Sequence, residues 1–253
     1  MVKKVVVAVL VFSLCFLISA FAEEKKDSPK NVSICPVTKM STDCLSCHVM
    51  VIRDGKPAWG VIEVHPEGWR IYPEGTKVVD GKGYFYLTDI NSHEAVRVSE
   101  YFNYLNRHKI KHAIIDIYSP GGSLFAGWRI KAFMEEFELN GGIVETRLRG
   151  LGASAAAIIF VSGTRGYRII DPQSYLMFHE LYSIKLLDIS TPSDKEEEAR
   201  ILRLFQDNIN LWLALRGKLT KAELDERCKK KEFWMTGNDA KAFGYADHLI
   251  TRR

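Results

Sequence analysis

No stretch of the sequence repeats, and apart from one short charged run near the amino terminus no segment is of low complexity, which argues against repeat architectures. Charge imbalance is also missing. A formal net charge of +4 over 253 residues leaves nothing that suggests a nucleic-acid binder. The apolar run from Val5 to Ile18 falls short of the roughly 20 residues that a membrane-spanning helix needs. Disorder is excluded for most of the chain, because 47% of its residues are hydrophobic. The length allows one sizeable domain with a small appendage.

What is present begins with a secretory signature. Basic Lys3 and Lys4 precede the apolar run, and Ala20-Phe21-Ala22 before Glu23-Glu24 reads as a cleavage site. Residues 1–22 are therefore expected to be a signal peptide and 23–33 a solvated linker, with the mature protein periplasmic or secreted. After removal of Cys15 with that leader, Cys35, Cys44, Cys47 and Cys228 remain, and export makes a disulfide between two of them chemically accessible.

From residue 34 to 80 the chain is rich in Pro, Gly and Trp, which suggests a small irregular or β-rich unit. Beyond Gly81 strand and helix signals alternate. Strands are expected at Tyr84–Leu87, Ala113–Ile117, Val144–Arg149, Tyr167–Ile170 and Tyr175–Phe178, and helices at Glu94–Arg107, Leu124–Phe137 and Ser154–Val161. Such repeated β and α units imply an α/β layered domain with a largely parallel sheet over 81–253. A long amphipathic helix is expected from Ser193 to Leu215, with Ser193 as cap and Glu196 as its capping-box partner. Its stripe of Ile201, Leu204, Phe205, Ile209, Trp212 and Leu213 suits either the core or a subunit contact.

Three segments carry chemistry when taken together. Gly150-Leu151-Gly152-Ala153-Ser154 follows a strand and opens a helix, so small residues permit a sharp turn while the helix start supplies free amides and positive potential. Taken by itself this segment favours Ser154 as a helix cap. Ser119-Pro120-Gly121-Gly122 ends another strand in a turn that exposes amides, of which Gly121 or Gly122 could face an oxyanion. His179 ends the strand Tyr175–Phe178 and could serve a hydroxyl nucleophile as a neutral base.

In order and spacing these segments resemble the proteolytic subunit of the Clp protease family, and so does the stretch from Phe233-Trp234-Met235-Thr236 through Asp239-Ala240 to Phe243-Gly244-Tyr245-Ala246-Asp247. The resemblance covers roughly Gly83 to Ile250. It implies a Clp-peptidase/crotonase-like layered fold and a serine endopeptidase, with Ser154 as nucleophile, His179 as acid and base, and the amides of Gly121 and Ala155 as oxyanion hole. The family's third catalytic aspartate falls on Glu232 here, with Asp225 and Glu226 as fallback positions. Gly152 stands where the family usually has alanine, an exchange expected to be tolerated, and the segment between His179 and Glu232 is slightly longer than the family's. The resemblance further implies a ring-forming homo-oligomer that takes peptides or unfolded proteins. An exported member would work without an ATP-driven unfoldase, because ATP is not expected there.

Near the amino terminus Cys44-Leu45-Ser46-Cys47-His48 matches the C-x-x-C-H pattern of covalent haem c attachment, with Met40, Met50 or His65 as a further axial ligand. Zinc held by Cys35, Cys44, Cys47 and His48 uses the same residues, and a disulfide uses two of them. Three other functions therefore stay open: a haem- or zinc-binding protein with the peptidase-like domain as scaffold, a serine–lysine hydrolase like signal peptide peptidases, and coenzyme A chemistry by analogy of fold. The serine–lysine reading requires a lysine near Ser154.

Overall fold

The computed structural model of the protein describes residues 46–53, 56–65, 68–181, 191–229 and 231–250, and the chain divides into two units, 1–74 and 75–253. The expected signal peptide and linker, and Cys35 and Cys44, lie outside the described residues. In the first unit, β1 (Ser46–Arg53), β2 (Lys56–His65) and β3 (Gly68–Pro73) form an antiparallel meander in the order β1-β2-β3. Cys47 and His48 fall within β1, opposite Ile62 and Val61 of β2. Among the described residues no group of three or more His, Cys, Asp or Glu could hold a metal ion.

The second unit opens with β4 (Thr76–Val79) and β5 (Lys82–Leu87), joined by a two-residue turn in which Asp80 and Gly81 have φ of 49° and 71°. An Asp-Gly pair suits this left-handed geometry, which matches the twist of the strands it joins. The hairpin ties β4 to the large sheet, although its residues fall in the 34–80 span that composition groups with the amino-terminal unit. The alternation then runs α1 (Ser92–Arg107), β6 (His112–Ser119), α2 (Leu124–Leu139), β7 (Ile143–Ala153), α3 (Ala155–Ser162), β8 (Arg168–Ile170) and β9 (Tyr175–His179). It ends with α4 (Pro192–Arg216), α5 (Lys221–Cys228), β10 (Glu232–Thr236), α6 (Gly237–Ala242) and β11 (His248–Leu249).

The large sheet has the order β10-β9-β7-β6-β5-β4, with β8 paired to β7 and β11. Strands β5, β6 and β7 are parallel neighbours, and the long β7 divides its free edge. Its Thr146–Leu148 stretch pairs with β8, whereas Leu151–Ala153 pairs with β9. This split brings β9 in at the carboxyl end of β7, where open α/β sheets place their sites.

Helices α1 and α2 bury Val98, Phe102, Leu105, Ile130, Met134 and Phe137 in the same core as Phe85, Ile115 and Leu148 of the sheet. Each such side chain contributes about 1.5–3 kcal/mol on leaving water. Helix α3 is buried along its whole length, so a short apolar run of small and branched residues suffices to form it. The long helix differs from expectation at its start. Thr191 rather than Ser193 is its cap and Asp194 closes the capping box, because Pro192 presets the first helical φ and has no N–H to satisfy. On its stripe Ile209 and Leu213 are buried and Leu204 is exposed, and outside the stripe Leu211 and Leu215 are exposed as well.

The carboxyl-terminal segment is locked to the sheet by a buried ion pair. Arg168, 3% exposed, reaches Asp247 through Nε at 2.9 Å and a terminal nitrogen at 2.7 Å. The same guanidinium donates to the carbonyls of Arg216 and Gly244, while Asp247 also accepts the N–H groups of Gly166 and Arg168. Burial opposes ionisation of this carboxyl, but the Arg168 guanidinium and the two amides hold it below its ordinary range.

Candidate active site

Strand register gathers the chemical residues at one end of the sheet. Ser119, the last residue of β6, lies opposite Gly152, and Ala153 lies opposite Met177, so β6, β7 and β9 all end together. Beyond those ends come the Pro120-Gly121-Gly122 turn, Ser154, and His179 as the final residue of β9.

Ser154 occupies a sharp strand-to-helix turn with φ 56° and ψ −125°, a conformation that costs a non-glycine residue on the order of 1–3 kcal/mol. Its backbone is held from both sides. The amide donates to the Met177 carbonyl at 2.9 Å, and the Ser154 carbonyl accepts from Ala157 in the first turn of α3. Although Ser154 sits at the helix cap position, its side chain makes no capping hydrogen bond. The hydroxyl instead lies 2.7 Å from His179 Nε2.

The other ring nitrogen fixes the tautomer. His179 Nδ1 is 2.6 Å from the Glu180 carbonyl oxygen, which can only accept, so Nδ1 carries the proton. In the neutral ring this leaves the Nε2 lone pair facing Ser154 Oγ, the arrangement in which an imidazole can take the hydroxyl proton.

Gly121 packs directly behind the serine. At its φ of 107° a side chain is disfavoured, and an added Cβ would lie 2.7 Å from both the Ala153 carbonyl oxygen and Ser154 Cβ. Its amide donates to Ser119 Oγ at 3.1 Å, within its own turn. Gly122, not Gly121, lines the cavity in front of Ser154. Of the two glycines, the first thus has its amide engaged by the Ser119 hydroxyl and the second borders the cavity. Ala155, whose amide begins α3, lines the same cavity.

Glu232 stands opposite His179 in the antiparallel β9–β10 pair and also lines the cavity. Its carboxylate turns along its own strand and accepts the Trp234 indole N–H at 2.9 Å, since residues two apart share a strand face. His179 Nδ1 itself meets the Glu180 carbonyl. Of the fallback positions, Asp225 accepts from Asn210 and Lys221, and Glu226 lies 3.9 Å from Lys231.

The cavity measures about 490 Å³ and is walled on its apolar side by Leu124, Ile158, Met177, Ile209 and Leu213. No lysine is among the described residues that line it. Two polar residues there, Gln206 and Asn210 of α4, escaped sequence reasoning. The signal was available: they lie four apart beside the apolar stripe, where a polar pair needs partners.

In comparison with known proteins, a family model described as Clp protease matches residues 70–253. The matched span contains every residue that lines the cavity, and the chain belongs to the Clp protease family.

Proposed function

We propose that this protein is an exported serine endopeptidase that hydrolyses peptide bonds through an acyl-enzyme on Ser154. Membership of the Clp protease family implies a serine peptidase. The observation that carries the finer reading is the 2.7 Å hydrogen bond between Ser154 Oγ and a His179 ring whose Nδ1 is already committed to a carbonyl.

In the proposed first step Oγ bonds to the scissile carbonyl carbon as its proton passes to Nε2, and the carbonyl oxygen becomes an oxyanion. In this reading the amides of Ala155 and Gly122, both of which line the cavity, receive that charge, aided by the amino-terminal field of α3. Collapse breaks the C–N bond, and the imidazolium gives its proton to the departing amine. Water then repeats the sequence, with His179 again as base, and restores the Ser154 hydroxyl. Held in a strained turn and backed by Gly121, the nucleophile is pre-positioned beside its base.

The exposed Leu204, Leu211 and Leu215 of α4, with Phe125 beside it in edge contact with Phe205, suit a homo-oligomeric contact. Export would separate the enzyme from ATP, so the proposed substrates are peptides and already unfolded chains. Purified protein should cleave an unfolded casein or a fluorogenic peptide, and Ser154→Ala should abolish the cleavage. Cleavage retained by Ser154→Ala would refute the reading.

A further inference from the structure

His179 is held by a peptide group, and that peptide group is held in turn. The carbonyl that accepts Nδ1–H belongs to Glu180, and the N–H of the same peptide unit, on Leu181, donates to Gln206 Oε1 at 2.8 Å. Gln206 Nε2 donates to Asn210 Oδ1 at 2.9 Å, and Asn210 Nδ2 donates to Asp225 Oδ1 at 2.8 Å. The orientation of both amides is forced, because a backbone N–H at one end can only donate and a carboxylate at the other can only accept. Every donor in the series thus points the same way, from Ser154 through the imidazole, the 180–181 peptide, Gln206 and Asn210 to one negative charge.

We propose that Gln206, Asn210 and Asp225 are positioning residues that orient and polarise His179 through the Glu180–Leu181 peptide. This rests on the peptidase reading of Ser154 and His179.

Three observations favour it over a merely structural network. Asn210 is only 1% exposed and sits on the face of α4 that lines the Ser154 cavity, so its amide is placed at a cost that its two hydrogen bonds offset. Asp225 is secured as an anion: burial works against its charge, but Asn210 and the Lys221 ammonium 2.8 Å away hold its carboxyl below the ordinary range. Aligned hydrogen bonds also strengthen one another, so a charge at the end of the series is felt at its start. A second cavity of about 160 Å³, lined by Glu180, Gln206, Asn210, Asp225, Cys228 and Lys229, lies along this series. The charged groups that face it are accordingly Glu180 and Lys229, together with Lys221 and, across that lysine, Asp207.

The test uses the full chain and two readouts. The first is nitrogen and proton NMR of His179, which reports the tautomer and the strength of the Nδ1–H bond and needs no turnover. In the native protein His179 should be the Nδ1–H tautomer with a downfield Nδ1 proton. Asp225→Asn and Gln206→Leu should each move that proton upfield, and Gln206→Leu should add the Nε2–H tautomer. Asp207→Asn, which removes a charge from the same Lys221 without touching the series, should leave the resonance in place. The second readout is hydrolysis. Asp225→Asn should lower kcat about tenfold and Gln206→Leu about a hundredfold with KM unchanged, which is within the range that placement of a general base commands.

An unmoved Nδ1 proton in both variants overturns the relay, whatever the enzyme hydrolyses. A moved proton in a protein that shows no Ser154-dependent cleavage keeps the relay and removes the peptidase reading. Equal losses in kcat for Asp207→Asn and Asp225→Asn also overturn it, since they would mark a general effect of charge or stability.

Discussion

The exchange of alanine for Gly152 gives the sharpest packing prediction. Gly152 lies in β7, two residues before Ser154, and no left-handed φ prevents an alanine there. Space prevents it. A Cβ on Gly152 would collide with Cδ1 of Leu148 and stand 3.2 Å from its Cγ, and Leu148 is fully buried beside it. A large residue at 148 thus fills the room that a side chain at 152 would take. Gly152→Ala should cost about 1–3 kcal/mol by overpacking, less about 0.4–1 kcal/mol returned by the stiffer unfolded chain. Leu148→Ala alone should cost about 2–5 kcal/mol through the cavity it leaves. In the double variant the new methyl enters that cavity, so Gly152→Ala should become neutral or stabilising, a coupling of about 2 kcal/mol between the sites. Urea unfolding reads this directly, as 2 kcal/mol displaces the midpoint by roughly 1 M when the slope is about 2 kcal/mol/M. A Gly152→Ala cost that is the same in both backgrounds would refute the steric account.

Other outcomes follow from single contacts. Gly121→Ala, forced to a φ of 107° and against Ser154 Cβ, should displace the nucleophile and slow its acylation about a hundredfold, as measured by stopped-flow with an activated ester. Glu232→Gln should lower kcat less than tenfold, because its carboxylate is bonded to Trp234; a loss near the roughly 10⁴-fold seen when a directly bonded triad carboxylate is replaced would assign it the orienting role instead. Asp247→Asn leaves the Arg168 guanidinium buried without its counter-ion and should destabilise by about 3–5 kcal/mol in thermal or urea unfolding. Since the Asp247 carboxyl is lowered in the fold, that difference should be fully present above about pH 4, the unfolded carboxylate range, and should shrink as pH falls further toward the folded value.

Much of the layered domain was legible because its signals are local. β5, α1, β6, α2, β7 and β9 all contain the segments that periodicity assigned, with ends that extend by only a few residues, and α3 is displaced from its expected span by one residue. Helices α5 and α6 were not assigned, being too short for periodicity to register, although Thr220 with Glu223 and Thr236 with Asp239 form capping boxes visible in the sequence. The Ser154–His179 pair could be named because its motifs sit at strand ends, where parallel pairing brings them together without further information. Which glycine faces the cavity could not be read, since that depends on the Ser119 hydroxyl occupying the Gly121 amide. Nor could the contact of His179 with the Glu180 carbonyl, because a backbone partner leaves no mark on composition.

The central claim is that the imidazole of His179 activates the hydroxyl of Ser154. Mass spectrometry of the protein after treatment with a fluorophosphonate tests it most directly, by locating the adduct and timing its formation. A single adduct on the peptide that contains Ser154, formed at least a hundred times more slowly in His179→Ala, is the result expected. An adduct formed at an unchanged rate in His179→Ala, or carried by a different serine, would contradict it.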